Sequence, residues 1–255
     1  MPPPPRLRAV AFDLWETLIA DPPGRGQERA VERVGRVEVA LRAGGWPAPP
    51  QAIADAFQAT VDALVVVHQD NVDLDAAGRL QLFYRHLDPT LDPDRDLPPA
   101  ARDGIAEAIH GGSRYAPPQL LPGAIETLSA LRQAGLRLAL VSNAGFSPGV
   151  VIRELLADLG LARFFTAQVY SDETQVWKPH ARMFDEAVFA LGVPAAQVAF
   201  VGDRPIADIL GAQQFGIGLS VLVGPRRREG VRAAIELDSI AGLVDALRER
   251  RLLPA

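Results

Sequence analysis

The sequence has no cysteine among its 255 residues, which excludes disulfides, thiolate metal sites and cysteine nucleophiles. It has almost no lysine. Lys178 is the single lysine among 26 basic residues, the other 25 being arginine. A compact ammonium and a planar guanidinium are not interchangeable, so a lone lysine in so arginine-rich a chain marks a position of interest. Long apolar runs are absent too, and none approaches the roughly 18–20 residues of a membrane span. The net charge of −5 gives no reason to expect a nucleic-acid partner. Met1 to Arg8, a proline run with two arginines, reads as a loose tail rather than a signal peptide, and the expectation is a cytoplasmic protein.

What is present is a large apolar fraction, 48%, enough for one large domain or a core with an insertion. Residues 6–13 read as a buried strand ending at Asp13. Residues 21–117 then show helical spacing. Helices are predicted over Glu28–Gly45, Gln51–Asp70, Ala76–Leu87 and Pro99–Gly112, separated by proline-rich links. In the first, Val31, Val34, Val37, Val39 and Leu41 form a broad apolar side. From Leu120 onward helix and strand alternate. Strands are predicted at Leu136–Asn143, Phe165–Ser171, Gln197–Asp203 and Gly218–Gly224. Helices are predicted at Pro122–Gly135, near 148–159, at Ala181–Leu191 and at Ile206–Phe215. Such alternation implies an α/β fold with a parallel sheet, whose ligand lies beyond the carboxyl ends of the strands.

Polar residues stand at those ends. Asp13, Ser142-Asn143 and Asp203 each terminate an apolar strand. Taken one at a time, Ser142-Asn143 also fits a turn, Lys178 an exposed lysine and Asp208 a helix cap. The four histidines do not cluster, so a histidine metal site is not expected. Phe83, Tyr84 and Tyr115 read as core packing, with lining of the inner side of the helical region as the alternative, and Arg25 and Arg29 as an exposed helix face, with contact to an anionic substrate as the alternative.

Four stretches occur in the order found in the haloacid dehalogenase-like hydrolases. "FDLWETL" resembles that family's nucleophile motif, "LALVSN" its phosphate-holding motif, "WKPHARMF" its lysine-proline motif and "VGDRPIADILGAQQFGI" its acidic metal motif. The resemblance covers about residues 8–20 and 118–225. It implies a Rossmann-like three-layer core, 6–20 and 118–255, with a helical cap inserted at 21–117. It further implies a phosphatase that uses Mg²⁺, with Asp13 attacking phosphorus to form an aspartyl phosphate and Lys178 and Ser142 as its catalytic partners. Asp13, Asp203, Asp208 and the backbone carbonyl of Trp15 are the implied metal ligands. Trp15, Thr17, Ser142, Asn143 and Lys178 are the implied contacts to phosphate or substrate. The implied partner is a small phosphate ester or acyl phosphate.

One residue departs from the family pattern. At the position of Trp15 the family's phosphatases carry an Asp that cycles a proton. An indole N–H does not titrate near neutral pH. The expectation is a slow phosphatase, or one limited to good leaving groups. Two alternatives accompany it: a 2-haloacid dehalogenase, or a catalytically impaired member that keeps the metal site. Glu16 is a possible stand-in for the missing Asp, although neighbours on extended chain face opposite ways.

Overall fold

The computed structural model describes residues 6–253. They divide into two compact units. One runs up to Ala20, takes in Gln119–Asn143 and resumes at Leu156; the other is Asp21–Pro118 together with Ala144–Leu155. In chain order, β1 (Ala9–Phe12) and β2 (Ile19–Ala20) precede six helices, α1 (Arg25–Ala43), α2 (Pro50–Gln69), α3 (Ala76–Leu87), α4 (Pro93–Asp96), α5 (Pro99–His110) and α6 (Gly112–Tyr115). There follow β3 (Gln119–Leu120), α7 (Ala124–Gln133), β4 (Arg137–Ser142), α8 (Gly149–Asp158), β5 (Ala167–Tyr170), α9 (Ser171–Thr174) and α10 (Ala181–Leu191). The chain ends with β6 (Val198–Gly202), α11 (Gly211–Phe215), β7 (Leu219–Val223), β8 (Ile235–Leu237) and α12 (Leu243–Glu249).

The first unit is an α/β fold built on a six-stranded sheet of order β5-β4-β1-β6-β7-β8, parallel throughout. Parallel strands are covered on both faces, and the residues show it. Ala9, Ala11, Ala139, Val141 and Phe200 pack with Met183 and Phe184 of α10. The intervening Val10, Phe12, Leu138 and Leu140 point the other way and are equally buried. Leu7 and Arg8 are not a loose tail. Their amides donate to Leu252 O and Gln197 O at 3.0 and 2.9 Å, and Leu7 is buried. The remainder of that expected tail, Met1 to Pro5, lies outside the described residues. The short β2 and β3 pair antiparallel, Ile19 with Leu120 and Ala20 with Gln119. Pairs of two residues leave no periodic trace, which is why the sequence pattern misses them. It misses β8 and α12 as well.

In the helical unit, α1 buries a narrower stripe than expected. Val37 and Leu41 are buried, but Val31 and Val39 are 64% and 68% exposed. At about 100° per residue, Val39 stands roughly 160° around the helix from Val37. The buried stripe is instead completed by Arg33. Phe83 and Tyr84 are core, as expected, together with Ile53, Ile105 and Ile109. α3 starts at Asp75, whose carboxylate accepts from Gly78 N at 2.7 Å.

Ala144–Leu155 groups with the helices because side chains there hold it. Arg79, fully buried, donates to Ala144 O at 3.0 Å, to Gly145 O, and to the buried carboxylate of Asp73 at 2.6 Å. The ring nitrogens of His110 lie 2.9 Å from Phe146 O and 3.1 Å from Ala76 O, and burial pushes this imidazole down from its ordinary value. Ser113 Oγ donates to Ser147 Oγ at 3.3 Å. His68 meets Asp73 at 3.1 Å, His180 caps α10 through Arg182 N, and His86 is exposed. Removing the acid from the buried Arg79–Asp73 pair leaves an uncompensated charge, so Asp73→Ala is expected to cost roughly 3–5 kcal/mol. Removing the exposed cap by Asp75→Ala is expected to cost only about 1 kcal/mol. Denaturant unfolding of the two variants, followed by circular dichroism, checks that order.

Candidate active site

The strand order places β4, β1 and β6 side by side at the point where the chain stops adding strands on one side and starts on the other. Open α/β sheets form a crevice at such a switch point, outside the carboxyl ends. Asp13 follows β1 there, Ser142 closes β4 and Asp203 follows β6. All three are buried.

Asp208 reaches the same spot by a less regular route. Residues Pro205–Leu210 form a π-helical turn, a distortion that often marks functional positions. The Asp208 carboxylate accepts from Arg204 N at 2.9 Å and lies against Gly202. A Cβ at residue 202 would stand 2.4 Å from that carboxylate, so only glycine leaves it room. One carboxylate oxygen from each of Asp13, Asp203 and Asp208 lies within 4.8 Å of the others.

Like charges so close need a counter-charge, and Lys178 provides it. Its Nζ is 2.7 Å from Asp13 Oδ1, 2.8 Å from Asp208 Oδ1 and 2.7 Å from Val141 O. Asp13 Oδ1 and Val141 O accept hydrogen bonds from the ammonium, and Asp208 Oδ1 meets it as an ion pair. Burial works against the Lys178 charge, but the charges of Asp13 and Asp208 outweigh it and raise this amine above its ordinary value. Burial, reinforced by the Asp13 charge, pushes Asp208 up to about 6 even though Lys178 pulls it down. The lysine loop is itself held by Asn143. Its side chain accepts from Lys178 N at 2.8 Å and donates to Lys178 O at 3.3 Å.

The other residues singled out in the sequence fall as follows. Thr17 is buried and its hydroxyl donates to Asp13 Oδ2 at 3.2 Å. Ser142 is buried, and its Oγ has no hydrogen-bond partner among the described residues. Trp15 is half-buried. The chain around it is not extended. Glu16 has φ +60°, its amide donates to Ile19 O at 2.7 Å, and Leu18 and Ile19 donate back to Leu14 O. Residues 14–19 are therefore a tight turn, and the strand-alternation argument about Glu16 does not apply, although Glu16 is exposed. Arg29 is not on an exposed face. It pairs with Asp21 at 2.7 Å and donates to Gly112 O and Ala116 O.

Residue type and spacing did not reveal Arg226. It follows Gly224 and Pro225 beyond β7 and forms an ion pair with Asp203. Its signal was available, since it follows an apolar strand as Asp13 and Asp203 do.

The donor set suits a hard divalent cation: three converging carboxylates supply oxygen ligands, and the acid cluster outnumbers Lys178 and Arg226 by one charge.

Comparison with known proteins bears on the same residues. The sequence model of the haloacid dehalogenase-like hydrolases matches residues 7–216. A phosphoserine phosphatase of Thermus thermophilus is 38% identical over 223 residues, 83% of this chain and 86% of that protein. A phosphoglycolate phosphatase of Yersinia pseudotuberculosis is 30% identical over 84% of this chain and 81% of its own. Among solved structures, a 2-haloacid dehalogenase of Pseudomonas syringae has TM-score 0.69 and 22% identity, covering 95% of this chain and 99% of its own. A HAD phosphatase of Thermococcus onnurineus has TM-score 0.66 and 21% identity, covering 94% and 98%. At that identity the two structures speak to the fold alone. The family match runs across the acid cluster and most of the chain, and the chain therefore belongs to the haloacid dehalogenase-like hydrolases and is an enzyme of that family.

Proposed function

We propose that this enzyme is a Mg²⁺-dependent phosphatase acting on a small phosphorylated metabolite through an aspartyl phosphate on Asp13. The observation that carries the reading is the convergence of Asp13, Asp203 and Asp208 on one another, with Lys178 paired to Asp13 and Asp208 and the unpartnered hydroxyl of Ser142 at the end of the adjoining strand. The phosphatase names of the relatives at 30–38% identity support it, and they direct attention to small metabolite esters.

Asp13, Asp203 and Asp208, with the backbone carbonyl of Trp15, would hold Mg²⁺, which supplies the positive charge that lets a phosphate dianion approach a carboxylate. The remaining work falls to the chain. Thr17 and Lys178 each bond one Asp13 oxygen, which fixes the carboxylate's orientation. Asp13 forms a bond to phosphorus as the bond to the leaving oxygen breaks. The buried Ser142 hydroxyl donates to a phosphoryl oxygen, and the Lys178 ammonium offsets the charge of the pentavalent arrangement. Water then attacks the aspartyl phosphate, releasing phosphate and restoring Asp13. Asn143 acts on this machinery at one remove, by bracing the lysine backbone. The helical unit would serve as the cap that selects the group carried by the phosphate. A small soluble metabolite as substrate fits a cytoplasmic site of action.

Trp15 limits the rate. It offers no proton to an alkoxide leaving group and takes none from the attacking water, so acyl phosphates, which leave as stable carboxylates, are the favoured substrates. General acid/base groups contribute typically about 10²–10⁴ in rate. Trp15→Asp is accordingly expected to raise kcat on alkyl phosphates by about two orders of magnitude or more, and acyl phosphates by much less. An unchanged kcat on alkyl esters would show that the proton is handled elsewhere, and loss of turnover in Glu16→Gln would show where. Asp13→Asn is expected to abolish both turnover and covalent labelling by radioactive phosphate. Chelation of Mg²⁺ should stop turnover of every ester. Chloride release from 2-chloropropionate without Mg²⁺ would favour the dehalogenase reading instead, and Mg²⁺ binding without turnover of any phosphate would favour an impaired enzyme.

A further inference from the structure

Two cations stand against the acid cluster, and they are held in opposite ways. Lys178 is sealed, its side chain 1% exposed, with Asp13, Asp208 and Val141 O around its nitrogen. Arg226 has 49% of its side chain exposed and meets a single acid, Asp203, whose own side chain is only 5% exposed. No other carboxylate pairs with Arg226 among the described residues. A buried ammonium with two acids of its own cannot leave without stranding charge. A guanidinium already half in water keeps much of its hydration when it swings away, and ion pairs of this exposure are weak.

The backbone that carries Arg226 is braced, while its side chain is not. Arg227 Nε pairs with Glu236 of β8 at 2.9 Å, and Arg227 Nη1 donates to Gly224 O at 2.6 Å and to Arg226 O at 2.8 Å. Residue 226 is thereby tied to the last strand of the sheet, with its guanidinium brought to the residue that follows β6. Asp203 Oδ2, the oxygen that Arg226 meets, is sealed from solvent and has no hydrogen-bond partner among the described residues. A carboxylate so placed needs a cation beside it. Charge balance favours a divalent ion there. With all three acids ionised, Asp13, Asp203 and Asp208 set against Lys178 leave two negative charges, which one such ion neutralises. Arg226 and the ion, both positive, would compete for the same carboxylate.

We propose that Arg226 is a resident counter-cation of Asp203 that a divalent ion must displace, and that it thereby sets the metal affinity of the site. In the metal-free enzyme the arginine neutralises Asp203. In the metal-bound enzyme the ion does so, and the Arg226 side chain is released to water while Arg227 and Glu236 keep its backbone in place. Lys178, by contrast, stays with Asp13 and Asp208 in both states, because nothing else in the site answers those two charges once the ion is gone. The inference rests on the reading of Asp203 as a Mg²⁺ ligand and not on the reaction that follows.

The test uses the full-length protein stripped of metal, with Mg²⁺ as the probe, calorimetry as the readout and thermal shift alongside. Arg226→Gln is expected to bind Mg²⁺ roughly fivefold or more tightly than native, the factor expected when a competing ion pair of ordinary strength is removed. Arg226→Lys, which keeps the charge, is expected to stay closer to native than Arg226→Gln does. Arg228→Gln, the same loss of charge two residues on, should bind as native does. Metal-free Arg226→Gln is also expected to melt below native, since Asp203 has lost its partner, and to gain more from saturating Mg²⁺. Equal Mg²⁺ affinity in native and Arg226→Gln, or equal tightening in Arg228→Gln, overturns the proposal. Weaker binding in folded Arg226→Gln overturns it too, because the arginine would then support the metal rather than compete with it. If neither native nor Arg226→Gln binds Mg²⁺, the metal site and the proposal fall together. Turnover is read separately. Tighter binding in Arg226→Gln by an enzyme that hydrolyses no phosphate ester leaves this proposal standing and overturns the phosphatase reading. Unchanged binding in an enzyme that does hydrolyse them overturns this proposal alone.

Discussion

Two buried carboxylates, Asp13 and Asp208, that share one ammonium, with a third, Asp203, close to both, form the constraint on which the site depends. Two like charges about 4 Å apart repel by about 4 kcal/mol at an effective dielectric constant of about 20. Asp13 and Asp208 can share a buried space because Lys178 stands between them. The same requirement explains why one lysine persists in a chain that otherwise uses arginine. Three acceptors surround a single nitrogen, at 2.7, 2.7 and 2.8 Å. A guanidinium spreads its donors over a plane and cannot meet three oxygens converging on one point.

The sheet delivers these groups to one place. Hydrogen bonding in the order β4-β1-β6 aligns the last residues of three strands, and side chains that are remote in sequence become neighbours. Two local departures from regular structure finish the arrangement. Gly202 gives up a side chain so that the Asp208 carboxylate can lie against the strand end, and the π-helical turn swings Asp208 into reach. Asn143 then ties the end of β4 to the backbone of Lys178, so that the strand beside Asp13 also fixes the counter-ion of Asp13.

Buried cations are handled in two ways in the helical unit. Arg79 has Asp73 as its acid and two backbone carbonyls as further acceptors, and it is best understood as the pin that holds Ala144 and Gly145. Arg33 is packed between aromatic rings with no acid.

Apolar patterning and the polar residues at strand ends made most of the core legible without coordinates. β1, β4, β6, β7 and α10 lie within a few residues of where periodicity puts them, because fully buried parallel strands read as unbroken apolar runs and α10 has a clear helical stripe. Asp13, Ser142 and Asp203 announced themselves by standing at the ends of such runs, Asp208 by its place in the acidic motif, and Lys178 by being alone. Sequence did not reveal what depends on closure in three dimensions. The two-residue strands β2 and β3 exist only because the chain returns to pair with itself 100 residues later. Glu16 adopts a left-handed conformation because residues 14–19 turn back on Leu14. The attachment of Ala144–Leu155 to the helices rests on Arg79, His110 and Ser113, residues whose types carry no such message. Local periodicity decides which residues leave water. Which charge stands beside which, and therefore which is answered and which is left open, is decided only when distant segments meet.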